Sequence, residues 1–142
     1  MGRSKDRLKP SQPPTQGKRI APHLVPSDGS TNQLKPEFNL EFLSGAYGLK
    51  HCTEEEKAAF ADRLHELGHL TWQEIQTAGR HGQGSEIITR RSLGDRQFPT
   101  EVTADVNILA LRFSGKKPMV GDRRGRVFVI LFLDRDFTLY QH

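Results

Sequence analysis

The chain is 142 residues long with a formal net charge of +4 and one cysteine, a length that sets a single domain. A lone Cys52 rules out an intramolecular disulfide and, with it, a secreted disulfide framework. The basic N-terminus lacks the apolar run of a signal peptide, and the longest apolar run, Val127–Leu133, is far too short to span a bilayer, so a cytoplasmic protein with no membrane segment is expected.

Residues 1–35 hold five of the eight prolines and few apolar side chains, a composition that buries too little to offset the entropy of ordering. They are expected to form a disordered basic arm in front of one α+β domain, residues 36–142. The arm carries seven Lys/Arg against two acids, and the remainder fourteen against fifteen, so most of the excess positive charge lies in the arm. Within the domain, residues 53–66 carry five acids against two bases, whereas residues 112–126 carry six bases against Asp122 alone. A local excess in a nearly neutral domain marks a patch rather than general basicity.

In chain order, Phe38–Leu43 alternates apolar and polar residues and predicts a first strand with Phe38, Leu40 and Phe42 inward. Residues 44–52, with Gly45 and Gly48, read as a turn. Thr53 with Glu56 three residues on is a capping box, and Glu54–Glu56 suits the positive end of a helix. Apolar residues at helical spacing continue that helix to about Gly68. Thr71 and Glu74 repeat the capping signal for a second, short helix ended by Gly79, so the two make a helical hairpin.

From Ser85 the period changes. Residues 85–93 (SEIITRRSL) read as a strand, followed by a loop to about Asp105 and a strand over Val106–Phe113. Residues 114–125 (SGKKPMVGDRRG) read as a Gly/Pro-punctuated connection with at most a short strand at Met119–Val120. Residues 126–133 are apolar on both faces and predict a central strand. The predicted order is β-α-α-β-β-β, a helical hairpin packed on a small antiparallel sheet.

Three groups of residues can carry chemistry. The first is Arg112, Lys116, Lys117, Arg123, Arg124 and Arg126: alternation from Phe113 puts Arg112 on the opposite face to its neighbours, and the connection should project Lys116, Lys117, Arg123 and Arg124 from one end of the sheet, with Gly115, Gly121 and Gly125 permitting close backbone approach. Guanidinium forks and ammonium groups so grouped suit phosphate oxygens. Tyr140 and His142 at the chain's end stand beside them as an acid/base pair for metal-independent RNA cleavage, with Arg124 and Lys117 stabilising the phosphorane. The second is His81 with Arg80 after the second helix, which can add to that site. The third is His65-Glu66-Leu67-Gly68-His69, a match to H-E-x-x-H that would place two imidazoles on one helix face for zinc, with Glu66 as the base. Against it, Leu64, Leu67 and Leu70 form the inward stripe and turn both imidazoles partly outward, Gly68 ends the helix there, and no further ligand motif follows. No cofactor is therefore expected on the leading reading, and zinc on this alternative.

The order of elements, the Gly-Asp-Arg…Val-Phe-Val-Ile-Leu strand and the Tyr/His-bearing end resemble the RelE/YoeB/HigB-like toxins of toxin–antitoxin systems over residues 36–142. The segments LTWQEI, RHGQGSEII and residues 121–142 also resemble a group of uncharacterised bacterial and phage small proteins, a likeness that brings no function. The RelE-like resemblance implies an endoribonuclease acting on mRNA at the ribosome, held in check by a cognate antitoxin. On it, Lys116, Lys117, Arg123 and Arg124 contact phosphate, and Tyr140 and His142 occupy the place of the C-terminal catalytic pair. The helices are shorter than usual for that group, Gln141 separates the Tyr from the His, and the N-terminal arm is atypical. A non-catalytic domain that binds nucleic acid or an acidic protein is the remaining reading.

Overall fold

A computed structural model of the chain describes residues 30–78, 85–94, 98 and 107–141. The chain divides into two units, Met1–Thr31 and Asn32–His142, and the fold below is that of the second. At the start of the second unit the Leu34 carbonyl accepts from the Trp72 N–H at 3.0 Å and the Lys35 carbonyl from Arg126 Nε at 2.9 Å.

Both capping signals act as read. In helix α1, Glu54–Leu67, the Thr53 hydroxyl accepts from the Glu56 N–H and the Glu56 carboxylate from the Thr53 N–H. In α2, Trp72–Thr77, Thr71 and Glu74 exchange the same pair of bonds. Two orphan donors are thereby satisfied at each helix start. α1 buries Phe60 and Leu67, and α2 buries Trp72 and Ile75.

The first strand, β1, is only Glu37–Asn39. The expected alternation through Leu43 stops because the Asn39 side chain accepts from the Glu41 N–H at 2.8 Å and the Leu43 N–H bonds back to the Leu40 carbonyl, which turns the chain and leaves Leu40 exposed. After α2 come β2, Glu86–Thr89, then a single tight turn at Arg90–Leu93 in place of the rest of the predicted strand. The predicted stop at Gly79 and most of the 94–105 loop lie outside the described residues.

The sheet then continues through β3, Asn107–Ser114; β4, Lys117–Arg124; and β5, Val127–Leu133. Its order is β1-β5-β4-β3-β2, with β1 parallel to β5 and the other pairs antiparallel. The predicted α+β class holds. Two finer expectations are corrected. The sheet is mixed rather than antiparallel, and residues 117–124 are a full strand at its centre rather than a connection, giving β-α-α-β-β-β-β.

The physical reason lies in Gly121. A Cβ there would sit 2.2 Å from the Val129 carbonyl oxygen, so β5 can approach β4 only over a glycine. The register shifts at the same place: Gly121 faces Ile130 while Val120 faces Phe132, leaving Leu131 as the extra residue of a bulge. Pro118 is tolerated as the second residue of β4, its carbonyl receiving the Asp134 N–H at 2.9 Å. Glycine, proline and four charged residues therefore sit in a strand whose Met119 and Val120 are fully buried.

Both faces of the sheet are covered, which is why β5 is apolar on both sides, as read. Toward the helices, Leu111, Met119, Phe128 and Ile130 pack with Phe60, Leu67, Trp72 and Ile75. On the far face, Ile108, Val120, Val129 and Leu131 pack under Leu139, Phe42, Tyr47, Phe98 and Tyr140. Burial of this kind contributes about 1.5–3 kcal/mol per large apolar side chain.

Gly121→Ala is expected to destabilise the domain by about 3 kcal/mol or more, because backbone rather than a movable side chain opposes the new methyl. Gly115→Ala, at φ +60 with open space around it, should cost only about 1 kcal/mol. Thermal denaturation followed by circular dichroism checks both; equal melting temperatures for the two variants would contradict the bulge argument.

Candidate nucleic-acid interface

The basic segment does not form one group. Because residues 117–124 are a strand, Lys117 and Arg124 are seven steps apart, roughly 23 Å at the usual rise. Lys116 and Lys117 lie at the β3–β4 turn, and Arg123, Arg124 and Arg126 gather around Gly125 (φ 62) in the β4–β5 turn at the opposite end. The expectation that Lys116, Lys117, Arg123 and Arg124 project from one end of the sheet is thereby corrected.

At the lysine end the organising group is Glu56. Its carboxylate is buried, yet it receives Lys117 Nζ at 2.6 Å, Arg135 Nε at 2.7 Å and the Thr53 N–H at 2.8 Å. Burial by itself pushes the Glu56 carboxyl upward, but the bonds from Arg135, Lys117 and Thr53 outweigh it and hold the group at about 2. The same carboxylate raises the Arg135 guanidinium above its ordinary value. Lys117, expected to face phosphate, thus ties the start of β4 to the start of α1. Lys116 is exposed on the turn. Arg112 pairs with Pro118 across the ladder and faces away from the side Phe113 packs on, while its carbonyl accepts from Arg63 Nε at 2.9 Å. Together with Asp62, Arg63 and Glu66 it lines an open cleft of about 360 Å³.

The arginine end is built differently. Arg123 pairs with Phe128 on the helix side, its guanidinium 4.4 Å over the Trp72 ring and its Nε donating to the Gly125 carbonyl at 2.7 Å. Half-burial pushes the Arg123 pKa down. Trp72, itself fully buried and donating its indole N–H to the Arg126 carbonyl at 2.9 Å, is both core and platform. Arg124 pairs with Val127 and so projects on the far face; its Nε donates to the buried Asp122 carboxylate at 2.7 Å. Its Nη2 is buried and makes no hydrogen bond among the described residues. Arg126 donates through Nε to the Lys35 carbonyl, with Glu37 at 3.9 Å. In all three side chains the Nε is the anchor.

The chain's end folds back over the far face. Asp134, fully buried, accepts from the Thr138 N–H at 2.9 Å and the Leu139 N–H at 3.1 Å, and Phe137 takes a left-handed φ of 57 in the turn so closed. Tyr47 and Thr138 hydroxyls bond at 3.1 Å. This brings Tyr140 against the far-face core, partly buried, whereas Lys117 is engaged on the helix side. His142 and His81 lie outside the described residues. Glu56, Arg135, Asp134 and Trp72 are the organising residues that sequence reading passed over for this role; the capping box flagged Glu56, but only for its local bond.

The His65–His69 segment lies at the end of α1. Leu67 is buried and Leu64 and Leu70 pack on the helix-side core, leaving His65, Glu66 and His69 exposed, as the inward stripe predicted. The two rings lie 4.7 Å apart, and Glu66 pairs with Arg63 at 3.2 Å. Among the described residues no group of three or more His, Cys, Asp or Glu is arranged to hold a metal. No helix among them is long and apolar enough to cross a membrane.

Compared with family models, with curated proteins and with solved structures, the chain gives no match.

The Glu56 cluster has a definite acid signature. Its folded pKa, about 2, lies below the unfolded value near 4.5, so the stability it contributes is fully present above pH 4.5 and is lost as pH falls toward 2. Glu56→Gln is expected to cost about 3 kcal/mol at pH 7, at the low end for breaking a buried pair because both cations keep some water. Urea unfolding at pH 7 and pH 3 checks this: the gap between wild type and variant should narrow at the lower pH, and a gap that stays constant contradicts it.

Proposed function

We propose that the domain is a cytoplasmic RNA-binding protein of RelE-like layout that grips phosphate through the β4–β5 arginine turn. The observation that carries this reading is the anchoring of Arg123, Arg124 and Arg126 through Nε around one turn. A guanidinium fixed at Nε loses little further freedom on meeting a phosphate, and the partly exposed side chains of Arg124 and Arg126 keep charge at the surface for an anionic oxygen. Lys35, the last base of the N-terminal basic segment, is tied to the same turn by its carbonyl.

On this reading the natural ligand is mRNA at the ribosome, and a cognate antitoxin would present an acidic segment to the same turn. Cleavage is the further step of the toxin reading. It requires Tyr140 and His142 as the acid/base pair with a cation beside them. Lys117, committed to Glu56, is a poor supplier of that cation, which favours binding over cutting.

The test is fluorescence anisotropy with a single-stranded RNA across a salt series. Affinity should fall steeply with salt, and the Arg124→Ala/Arg126→Ala pair should make the log–log slope shallower by roughly 1.4, about 0.7 for each phosphate that is no longer neutralised. Lys117→Ala should lower stability and leave the slope unchanged. Affinity independent of salt would sink the reading. Induction of wild type and a Tyr140→Phe/His142→Ala variant in a bacterial host addresses cleavage: growth arrest and cut message with wild type alone would make the protein a ribonuclease, and equal growth with intact message would leave binding.

A further inference from the structure

We propose that His65 and His69 form a surface chelate for a borderline divalent transition-metal ion of the Cu²⁺, Ni²⁺ or Zn²⁺ class, a binding site separate from the arginine turn and without hydrolytic function. The two residues stand four apart across the end of α1. Gly68 keeps helical geometry at φ −66 and ψ −12, and the His69 and Leu70 N–H groups bond back to Glu66 and Leu67, so His69 stays stacked above His65 instead of swinging away. The ring centroids are 4.7 Å apart at an interplanar angle of 78°. Two imidazole nitrogens bound to one ion at about 2.0–2.1 Å each lie roughly 3 Å apart when cis, a distance exposed rings at this spacing reach by side-chain rotation.

The tautomer is set for the purpose. His69 Nδ1 lies 2.8 Å from the His65 carbonyl oxygen, which can only accept, so the proton sits on Nδ1 and the lone pair on Nε2 points outward. Ligating histidines are commonly held in this way, with the second ring nitrogen donating to a carbonyl. The carbonyl end of a helix carries partial negative charge, which favours a cation. Imidazole pairs select the borderline transition metals over Mg²⁺ and Ca²⁺. Glu66 is turned to Arg63 rather than to the imidazoles, so among the described residues no carboxylate is held in place as a base for a metal-bound water. The site therefore binds and releases an ion and does not hydrolyse.

The experiment is titration of the full chain with CuCl₂ in a non-coordinating buffer, read by calorimetry and by electron paramagnetic resonance. Four other histidines are present, so the result is read by difference. Relative to wild type, His65→Ala and His69→Ala should each weaken one site by about tenfold or more, because either change converts a chelate into a single ligand. Glu66→Gln and His51→Ala should leave that site untouched, and the spectrum should carry hyperfine structure from two nitrogens. Both histidines are exposed, so the variants should keep the wild-type circular dichroism. Unchanged capacity and affinity in the His65→Ala/His69→Ala double variant would overturn the proposal, as would loss of the site in His51→Ala.

Discussion

A carboxylate removed from water persists in charged form only if its surroundings replace what water supplied, and Glu56 meets that condition three ways at once. The Thr53 N–H holds it at the head of α1, Lys117 reaches it from the start of β4, and Arg135 from beyond the end of β5. One side chain thus fixes the helix start, the central strand and the C-terminal turn to one another. Removing either cation would leave a buried charge short of a partner, so the three positions are coupled energetically and would not respond additively to substitution.

Given that clamp, the course of the chain after β5 is constrained. Asp134 follows Leu133 directly and spends both carboxylate oxygens on Thr138 and Leu139, bending the last residues across the far face. Leu139 and Tyr140 then cover Val120, Val129 and Leu131, which strand alternation places on that side. The sheet is sandwiched between helices on one face and chain segments on the other. Its middle strands can be apolar throughout for that reason.

The parts legible in the sequence were those settled within a few residues. Thr53/Glu56 and Thr71/Glu74 announce helix starts because a capping box is a local exchange of hydrogen bonds, and the Leu64–Leu67–Leu70 stripe orients α1 because helical period is local too. β4 was not legible. Lys117-Pro118…Gly121-Asp122-Arg123-Arg124 carries turn-forming and charged residues. It becomes a strand because β3 and β5 flank it, Asp122 takes Arg124, and Glu56, far off in sequence, takes Lys117. The same non-locality hid the division of the basic cluster: charge counting along the chain found the six bases, but which end of the sheet each occupies depends on whether the intervening residues are a loop or eight residues of strand.

That division changes what the basic surface can be asked to do. A single six-cation patch would grip several phosphates by itself. The arginine turn instead offers three guanidinium groups within four residues, one stacked on Trp72 and one leaning on Asp122. Its charge is small but its geometry is set in advance, which serves orientation more than strength, since each Nε bond removes freedom that a flexible lysine would have to surrender on binding. On the proposed reading, two or three phosphates held at the turn account for only weak, sequence-independent affinity. The +5 carried by residues 1–35 is then the other half of the electrostatics, adding attraction for the same phosphates. The turn would set where the phosphate backbone lies, and the N-terminal bases how tightly it is held at a given salt.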